Sequence, residues 1–494
     1  MTLNQLLNLI GDYILEKNIY KNSEISHLSE DSRDNNIGEK TLFFAIEGSN
    51  VDGTQFIPEV FKKGCRNFIT SKKPNLEGAN FIVVRDIRKV QAIISKHFFN
   101  KPDESMKIIG ITGTKGKTTI SYMVYNALEK AGLKSALIGT IEYRINNKSI
   151  PANNTTPGPL EIYSLLYEAQ KSGTEFVSME VSSHGLELGR VYGMRFEVGA
   201  FTNLSREHLD FHKTMENYFN SKMKLFYQIK ELNPSGTVII NIDNEWGEKA
   251  YQIAKELKLN SILCSLSNKT GVFAENINIS IEGNTFDLIY KGKKYKFNTK
   301  TVGIHNIYNA MIAFGCCVNL VDEDKIALIV EGINETKVKG RFEVLKSNRG
   351  FYVVIDYAHT HESLEKTLET ARSFNPAKLT VVFGAGGNRD KGKRPLMGEV
   401  STRLADKVII TTDNPRNENP RDIINDIIAG IPSDRINKII TIEDRKMAIN
   451  EALRLAISGE IIVIAGKGHE DYQIIGNQKL HFSDIEEVYK SKYF

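Results

Sequence analysis

Six residues, GTKGKT at positions 113–118, are placed to bind phosphate. A glycine-rich turn running into a helix start aims backbone N–H groups and the positive end of the helix dipole at an anion. Lys117 would neutralise phosphate charge, and the Thr118 hydroxyl would be offered to Mg²⁺. The spacing departs from the common G-x-x-x-x-G-K-[ST] pattern. Counting back from Gly116-Lys117-Thr118 puts the first glycine at Ile111, whereas the glycines stand at Gly110 and Gly113. The loop is therefore a variant. Two further groups bear on the same chemistry. Glu180 ends the apolar run FVSME, and NLSREHLDFH supplies His208, Asp210 and His212. Oxygen ligands with an imidazole suit Mg²⁺ or Mn²⁺ on a nucleotide.

The elements around the loop have the form it needs. MKIIGIT reads as a buried strand, and TTISYMVYNALEKA reads as a helix closed by Gly132. The chain has 494 residues, too many for one core, so about three domains are expected. We place them at 1–100, 101–335 and 336–494. The first alternates short strands (TLFFAI, NFIT, NFIVV) with helices, after an N-terminal MTLNQLLNLIGDYILEKN that reads as an amphipathic helix. FNKPDESM reads as the linker to the second. SALIGT, FVSMEV, VGAFTNL and TVIINID there are continuous apolar runs, as in a parallel sheet, and IYKGKKYKF reads as a late hairpin. In the third segment five strands, from FYVVID to EIIVIA, each run into a Gly- or Asp-rich loop, where ligands of open α/β sheets bind. The fold class is α/β.

A net charge of +4 on this length argues against a dedicated nucleic-acid binder. Cys65, Cys264, Cys316 and Cys317 form no C-x-x-C pair and read as reduced core thiols. No secretory leader or bilayer-length apolar run is visible, so a cytoplasmic protein without membrane contact is expected.

The G-[ST]-x-G-K-[ST] variant resembles the ATP loop of the Mur ligase superfamily, enzymes that join an amino acid to a carboxylate through an acyl phosphate. The resemblance covers essentially the whole chain, with its motifs in order. It implies a P-loop-type central sheet with helices on both faces, a Rossmann-like C-terminal domain and a small α/β N-terminal domain. ATP would lie on Thr112, Gly113, Thr114, Lys115, Gly116, Lys117 and Thr118. Glu180 and His208 would hold Mg²⁺ with Thr118. A lysine in YFNSKMKLF would be carbamylated to hold a second ion: Lys222, fourteen positions after His208, with Lys224 as the alternative. GIHNIYN places His305, Asn306 and Asn309 toward adenine. KGRFE supplies Arg341, and DYAHTHESL supplies Asp356 for ribose and His359 near the phosphates, with His361 where the family has proline.

Within the superfamily the details resemble the MurE branch, which adds the third residue of the peptidoglycan stem peptide. Ser32 in DSR would contact the UDP of the sugar nucleotide, and GSNVDG would flank uracil. Asn154, Thr155, Thr156, Ser182 and Arg190 would meet the muramoyl dipeptide; Leu188 stands where many relatives are polar. DNPR gives Asp413, Asn414, Pro415 and Arg416, and in this branch goes with meso-diaminopimelate. A second carboxylate on the incoming amino acid suits an arginine fork, and lysine would have no use for it. Arg389, Gly466 and Glu470 complete that pocket, Glu470 for the distal ammonium; Ala385 and Asn388 depart from the usual Cys and Asp. Meso-lanthionine would satisfy the same charges. The resemblance implies a monomer that joins a diamino diacid to UDP-MurNAc-L-Ala-D-Glu with ATP and two Mg²⁺ ions. The alternatives are an L-lysine-adding enzyme, a folylpolyglutamate-synthase-type ligase and a P-loop switch.

Overall fold

The computed structural model describes residues 1–48, 52–146 and 148–494. They divide into two compact units: Met1–Glu275 with Leu288–Tyr295 and Tyr308–Ile333, and Asn276–Asp287 with Lys296–Ile307 and Asn334–Phe494.

The first unit holds a five-stranded sheet in the order Ile14–Asn18, Asn80–Val84, Asn67–Thr70, Thr41–Ala45, His27–Ser29, parallel except for its first strand. That first strand corrects the expectation of a long N-terminal helix. The helix is Leu3–Asn8, and Gly11–Tyr13 forms a 3₁₀ turn before Ile14–Asn18 pairs along Asn80–Val84. Gly11 interrupts the helical run, and the sheet edge offers ILEKN the backbone partners that a solvated helix would lack. The FNKPDESM segment is pinned rather than loose. Asp103 is buried and accepts from Lys96 Nζ at 2.8 Å and Arg195 N at 2.9 Å.

The same unit contains six parallel strands in the order Asn260–Ser265, Thr237–Asn241, Val198–Phe201, Lys107–Thr112, Phe176–Glu180, Ser135–Ile138. Strands that follow Lys107–Thr112 are laid first to one side and then to the other. The loop after Lys107–Thr112 therefore opens at a topological switch point, where ligands of open α/β sheets sit. Helices cover both faces because successive strand residues point opposite ways. Met179 packs in a core with Leu225, Phe226 and Ile229 of helix Met215–Leu232. Ser178, one residue earlier, donates from Oγ to Ser121 O of helix Lys117–Lys130 at 3.0 Å. Gly132 closes that helix with φ 75°. The expected late hairpin turns at Lys291 and Gly292, with φ 48° and 76°.

The second unit carries a six-stranded sheet, Glu343–Lys346, Tyr352–Asp356, Glu460–Ala465, Lys378–Phe383, Lys407–Ile410, Ile439–Thr441. Its last five strands are parallel and are the five read in the sequence. Val353 and Ile355 pack with Ile449 and Leu453 on one face, and Val354 with Leu364 and Leu368 on the other. Glu343–Lys346 and the hairpin Tyr472–Ile475 with Gln478–His481 were not foreseen, each strand being only four residues long.

Candidate active site

The phosphate loop is shaped by close contacts. Gly113 and Gly116 have φ 146° and 89°, which side-chain-bearing residues rarely adopt. A Cβ on Gly113 would overlap Thr202 Oγ1, and one on Gly116 would meet Asn309 Oδ1 at 2.5 Å. The end of Val198–Phe201 holds the loop from the side: Thr114 N donates to Asn203 O at 2.9 Å, Lys115 N to Asn203 Oδ1 at 3.0 Å, and Thr202 Oγ1 to Lys115 O at 2.7 Å. Thr112, also buried, ends the strand before it. Lys117 folds back over the loop, donating to Gly113 O and Thr114 O, both at 2.9 Å.

Glu180 lies fully buried beside it at the end of Phe176–Glu180. It accepts from Thr118 Oγ1 at 3.0 Å, Thr140 N at 2.8 Å and Thr140 Oγ1 at 3.0 Å. Thr140 Oγ1 is 3.0 Å from Thr155 Oγ1. Thr156 Oγ1 donates to Glu180 O at 2.9 Å and is 3.1 Å from Ser182 Oγ, and Arg190 Nη1 donates to Thr156 O at 2.7 Å. Asn154 is tied in through its backbone, whose carbonyl accepts from Tyr143 OH at 3.0 Å. One chain of hydrogen bonds thus links the phosphate loop to Thr155, Thr156, Ser182 and Arg190, all expected to meet the dipeptide. Thr140 was missed in the sequence, where GT after a strand is an ordinary ending. Ser32 is buried elsewhere in the unit, its carbonyl accepting from Lys63 Nζ at 2.5 Å. The centre of the GSNVDG loop, 49–51, lies outside the described residues.

The two lysines of Met215–Leu232 are sharply different. Lys224 is exposed and pairs with Glu187 at 2.7 Å. Lys222 is buried, donates to Gly113 O at 2.8 Å and stands 4.5 Å from the Tyr218 ring centroid. Burial, and then the Lys117 ammonium, pushes its amine well below the usual lysine range. Tyr218 OH lies 3.1 Å from Thr114 Oγ1, and the ring contacts His208 and stacks on His212. Burial lowers the His208 imidazole, keeping its ring nitrogens neutral and able to coordinate. Among the described residues, no three His, Cys, Asp or Glu side chains gather as a closed metal cage. A hydroxyl with a carboxylate, and a neutral imidazole, instead fit a hard cation that keeps phosphate and water ligands. Thr118 with Glu180, and His208 with a modified Lys222, are the groups that could hold such ions.

In the second unit the predicted residues lie at or near strand ends, apart from Asn306 in the first turn of a helix. Asn306, at the start of Ile304–Val318, donates to Val302 O at 2.8 Å. The Arg341 guanidinium lies 5.1 Å from the Tyr357 ring centroid, and His359 Nδ1 is 2.8 Å from Tyr357 O. Asp356 is engaged on both oxygens, by Phe342 N at 2.7 Å and by Ala358 N and Thr367 Oγ1 at 3.0 Å. His361, in place of proline, opens helix His361–Arg372 behind a Thr360–Ser363 capping box.

Arg416 is half-buried, with φ 52°. Its Nη1 donates to Gly387 O at 2.9 Å, which leaves the rest of the fork without a protein partner among the described residues. Pro415 packs so closely that a Cβ on Gly387 would overlap its carbonyl oxygen. Arg389 is exposed on the neighbouring loop, its Cγ near Gly386. Asp413 and Asn414 are buried, and Gly466, with φ 115°, approaches Asp413 Oδ2. Glu470 Oε2 accepts from Asn414 Nδ2 at 3.0 Å. Two residues here were missed. Lys467 is fully buried against Asp413, Asn414 and Glu470. Arg394, also fully buried, grips Glu418 at 3.0 Å and Asp426 at 2.8 Å and donates to Gly386 O at 3.2 Å. Lys467 in GKGHE and Arg394 in DKGKRP stand in polar, glycine-containing runs that give no local sign of burial.

An ATP-type loop, a buried carboxylate on its threonine and an arginine-bearing α/β unit define an ATP-dependent ligase architecture. The sequence profile of the Mur ligase middle domain matches residues 111–317, and that of the Mur ligase, glutamate ligase domain matches 340–468. Together these matches span well over half of the sequence, and the chain belongs to the Mur ligase family. It is 43% identical over 471 residues to the UDP-N-acetylmuramoyl-L-alanyl-D-glutamate–2,6-diaminopimelate ligase 1 of Clostridium acetobutylicum, covering 94% of each chain. It is 40% identical over 497 residues to the corresponding ligase of Clostridium tetani, covering 99% and 98%. A solved structure of a ligase of this name superposes with TM-score 0.69 at 30% identity, covering 95% of this chain and 96% of the other.

Proposed function

We propose that the chain joins meso-2,6-diaminopimelate, or meso-lanthionine as a close analogue, to the D-Glu side-chain carboxylate of UDP-MurNAc-L-Ala-D-Glu in peptidoglycan precursor synthesis. The observation that carries this reading is near-full-length identity of about 40% to ligases of that name. The Arg416 fork, beside the Asp413–Glu470 cluster, supports a substrate whose far end bears both a carboxylate and an ammonium.

In this reading the D-Glu carboxylate attacks the γ-phosphorus of ATP, giving an acyl phosphate and ADP. The amine of the third residue then adds to the acyl carbon, a proton is lost, and inorganic phosphate leaves. Lys117, at the helix start, steadies the charge on the transferring phosphoryl group. Thr156, Ser182 and Arg190 orient the dipeptide whose carboxylate reacts. Bound Mg²⁺ would neutralise phosphate oxygens, held by Thr118 and Glu180 and by His208 with Lys222. The depressed amine of Lys222 favours the neutral form, which adds CO₂ to give a carbamate and a proton. That converts a cation, which would repel Mg²⁺, into an anionic oxygen donor. We assign 1–100 to the sugar nucleotide, 101–335 to ATP and 336–494 to the incoming amino acid, in a cytoplasmic monomer.

The test is phosphate release from ATP with UDP-MurNAc-L-Ala-D-Glu and, in parallel, meso-diaminopimelate, meso-lanthionine or L-lysine. Turnover with the diacids and not lysine is expected, and their ratio identifies the natural substrate. Turnover with lysine alone would overturn the assignment of Arg416.

A further inference from the structure

Lys467 sits where a cation is hardest to place. Its side chain is fully buried at the end of Glu460–Ala465, with Nζ 3.5 Å from Asp413 Oδ1, 3.4 Å from Glu470 Oε2 and 3.2 Å from Asn414 Oδ1. Arg445 and Asp484, both buried, pair with one another at Nε–Oδ1 2.7 Å and Nη2–Oδ2 2.8 Å and so add no net charge. The formal charge of the pocket wall is therefore −2 from Asp413 and Glu470 and +1 from Lys467, a net −1. Arg416 adds +1 at the other wall, whereas Arg389 is exposed on its loop and its charge is screened by solvent. Desolvated charges discriminate ligands by how completely they are matched, and an unmatched one weakens binding strongly.

We propose that Lys467 is a specificity-determining positioning residue, which sets the pocket's charge so that a side chain ending in both an ammonium and a carboxylate is matched. The inference rests on the proposed diamino-diacid reading and deepens it. With Lys467 present, a zwitterionic end leaves the pocket neutral, whereas the lone ammonium of lysine leaves it at +1. Without Lys467 the order reverses: the zwitterion leaves −1, and lysine leaves 0. Glu470 is not simply a waiting carboxylate, since half of the acidic charge around it is already balanced from within the protein. Lys467 also fixes the Asn414 amide, whose Oδ1 accepts from Ile474 N at 2.9 Å, so it ties the loop bearing Arg416 to the terminal hairpin.

The experiment compares kcat/KM for meso-diaminopimelate and for L-lysine in the full-length enzyme and in Lys467→Met, Lys467→Arg and the double variant Lys467→Met with Glu470→Gln. In Lys467→Met the diaminopimelate-to-lysine ratio should fall on the order of tenfold or more. The change should lie in the KM of the amino acid, with the KM for ATP unchanged. Lys467→Arg, which keeps the charge, should hold the ratio within about threefold. The double variant returns the wall to −1 and should recover much of the ratio; because it leaves one buried carboxylate without Lys467, Asp413, where the single variant leaves two, it also serves if the single variant does not fold. An equal loss for both amino acids in Lys467→Met, or a double variant whose ratio is no higher than that of Lys467→Met, overturns the proposal. If the single variant is insoluble, a double variant with less than a tenth of the wild-type ratio overturns it. Failure of the wild type to use diaminopimelate would instead overturn the functional reading.

Discussion

Two buried lysines, one in each unit, are held in opposite ways. Lys222 ends on a backbone carbonyl, Gly113 O, with the Lys117 ammonium close enough to push its own charge away. Lys467 ends on two carboxylates and an amide oxygen. A carbonyl dipole compensates a buried cation only in part, whereas a pair of carboxylates compensates it fully. The first environment favours a neutral, nucleophilic amine, and the second an ion pair. Burial alone therefore does not say what a lysine does, and the partner atoms decide it.

The sharpest way to break this comparison is to swap each lysine for arginine, which stays charged. Lys222→Arg cannot become a neutral amine or a carbamate, and ligase activity should fall about 10³-fold. Lys222→Ala should fall as far but recover partly in formate, which restores an anionic oxygen to the cavity. Lys224→Ala, on the exposed side of the same helix, should stay within about twofold. Phosphate release assays read all three, and a Lys222→Arg enzyme of near-normal rate would sink the neutral-amine account.

Arg416 gives the next largest effect and sharpens the contrast between the sites. Arg416→Ala removes the fork for a second carboxylate, so the KM for diaminopimelate should rise about 100-fold while the KM for ATP stays put. A parallel rise in the KM for ATP would mean that the variant had disturbed more than the amino-acid pocket.

The two regions were not equally legible in the sequence. The phosphate loop lies on one strand, one turn and one helix, so its local spacing shows glycine positions, lysine and threonine together. Glu180 was readable as the end of an apolar strand, and Lys222 only through the family resemblance. The second pocket is assembled from the ends of three strands, at 384–389, 413–416 and 466–470. Arg416 and Glu470 came from motifs, but Lys467 and Arg394 gained meaning only when separate loops closed around their charges. The fold itself followed from apolar runs. What failed was the N-terminal helix, where Gly11 and a free sheet edge outweighed the amphipathic pattern.

Gly139→Ala probes how much slack the carboxylate at the phosphate loop has. A Cβ there would stand 2.5 Å from Glu180 Oε1, the oxygen that accepts from Thr140 N. Glu180 would have to move away, since a Cβ essentially never stands within 3.0 Å of another heavy atom, and the expected cost is about tenfold in kcat with a higher Mg²⁺ requirement. An unchanged Mg²⁺ dependence would separate Glu180 from the metal.

The smallest effect is in acid, and it belongs to the second unit. His469 packs on Tyr357 with ring centroids 4.9 Å apart, its Nδ1 buried without a partner among the described residues. Burial, and then the Arg341 guanidinium, pushes its imidazole from 6.5 down to about 4. The unfolded chain therefore takes the proton first. Stability is complete above about pH 7, falls as the pH drops through 6.5 toward 4, and levels below that. At pH 5.5 the loss from this one group is about 1 kcal/mol, or about 2 °C in Tm. His469→Gln should melt with a correspondingly flatter dependence between pH 7.5 and pH 5.5. An identical slope in the variant would place the titrating group elsewhere, with Lys222 the first candidate, since its depressed amine also costs stability as the pH falls.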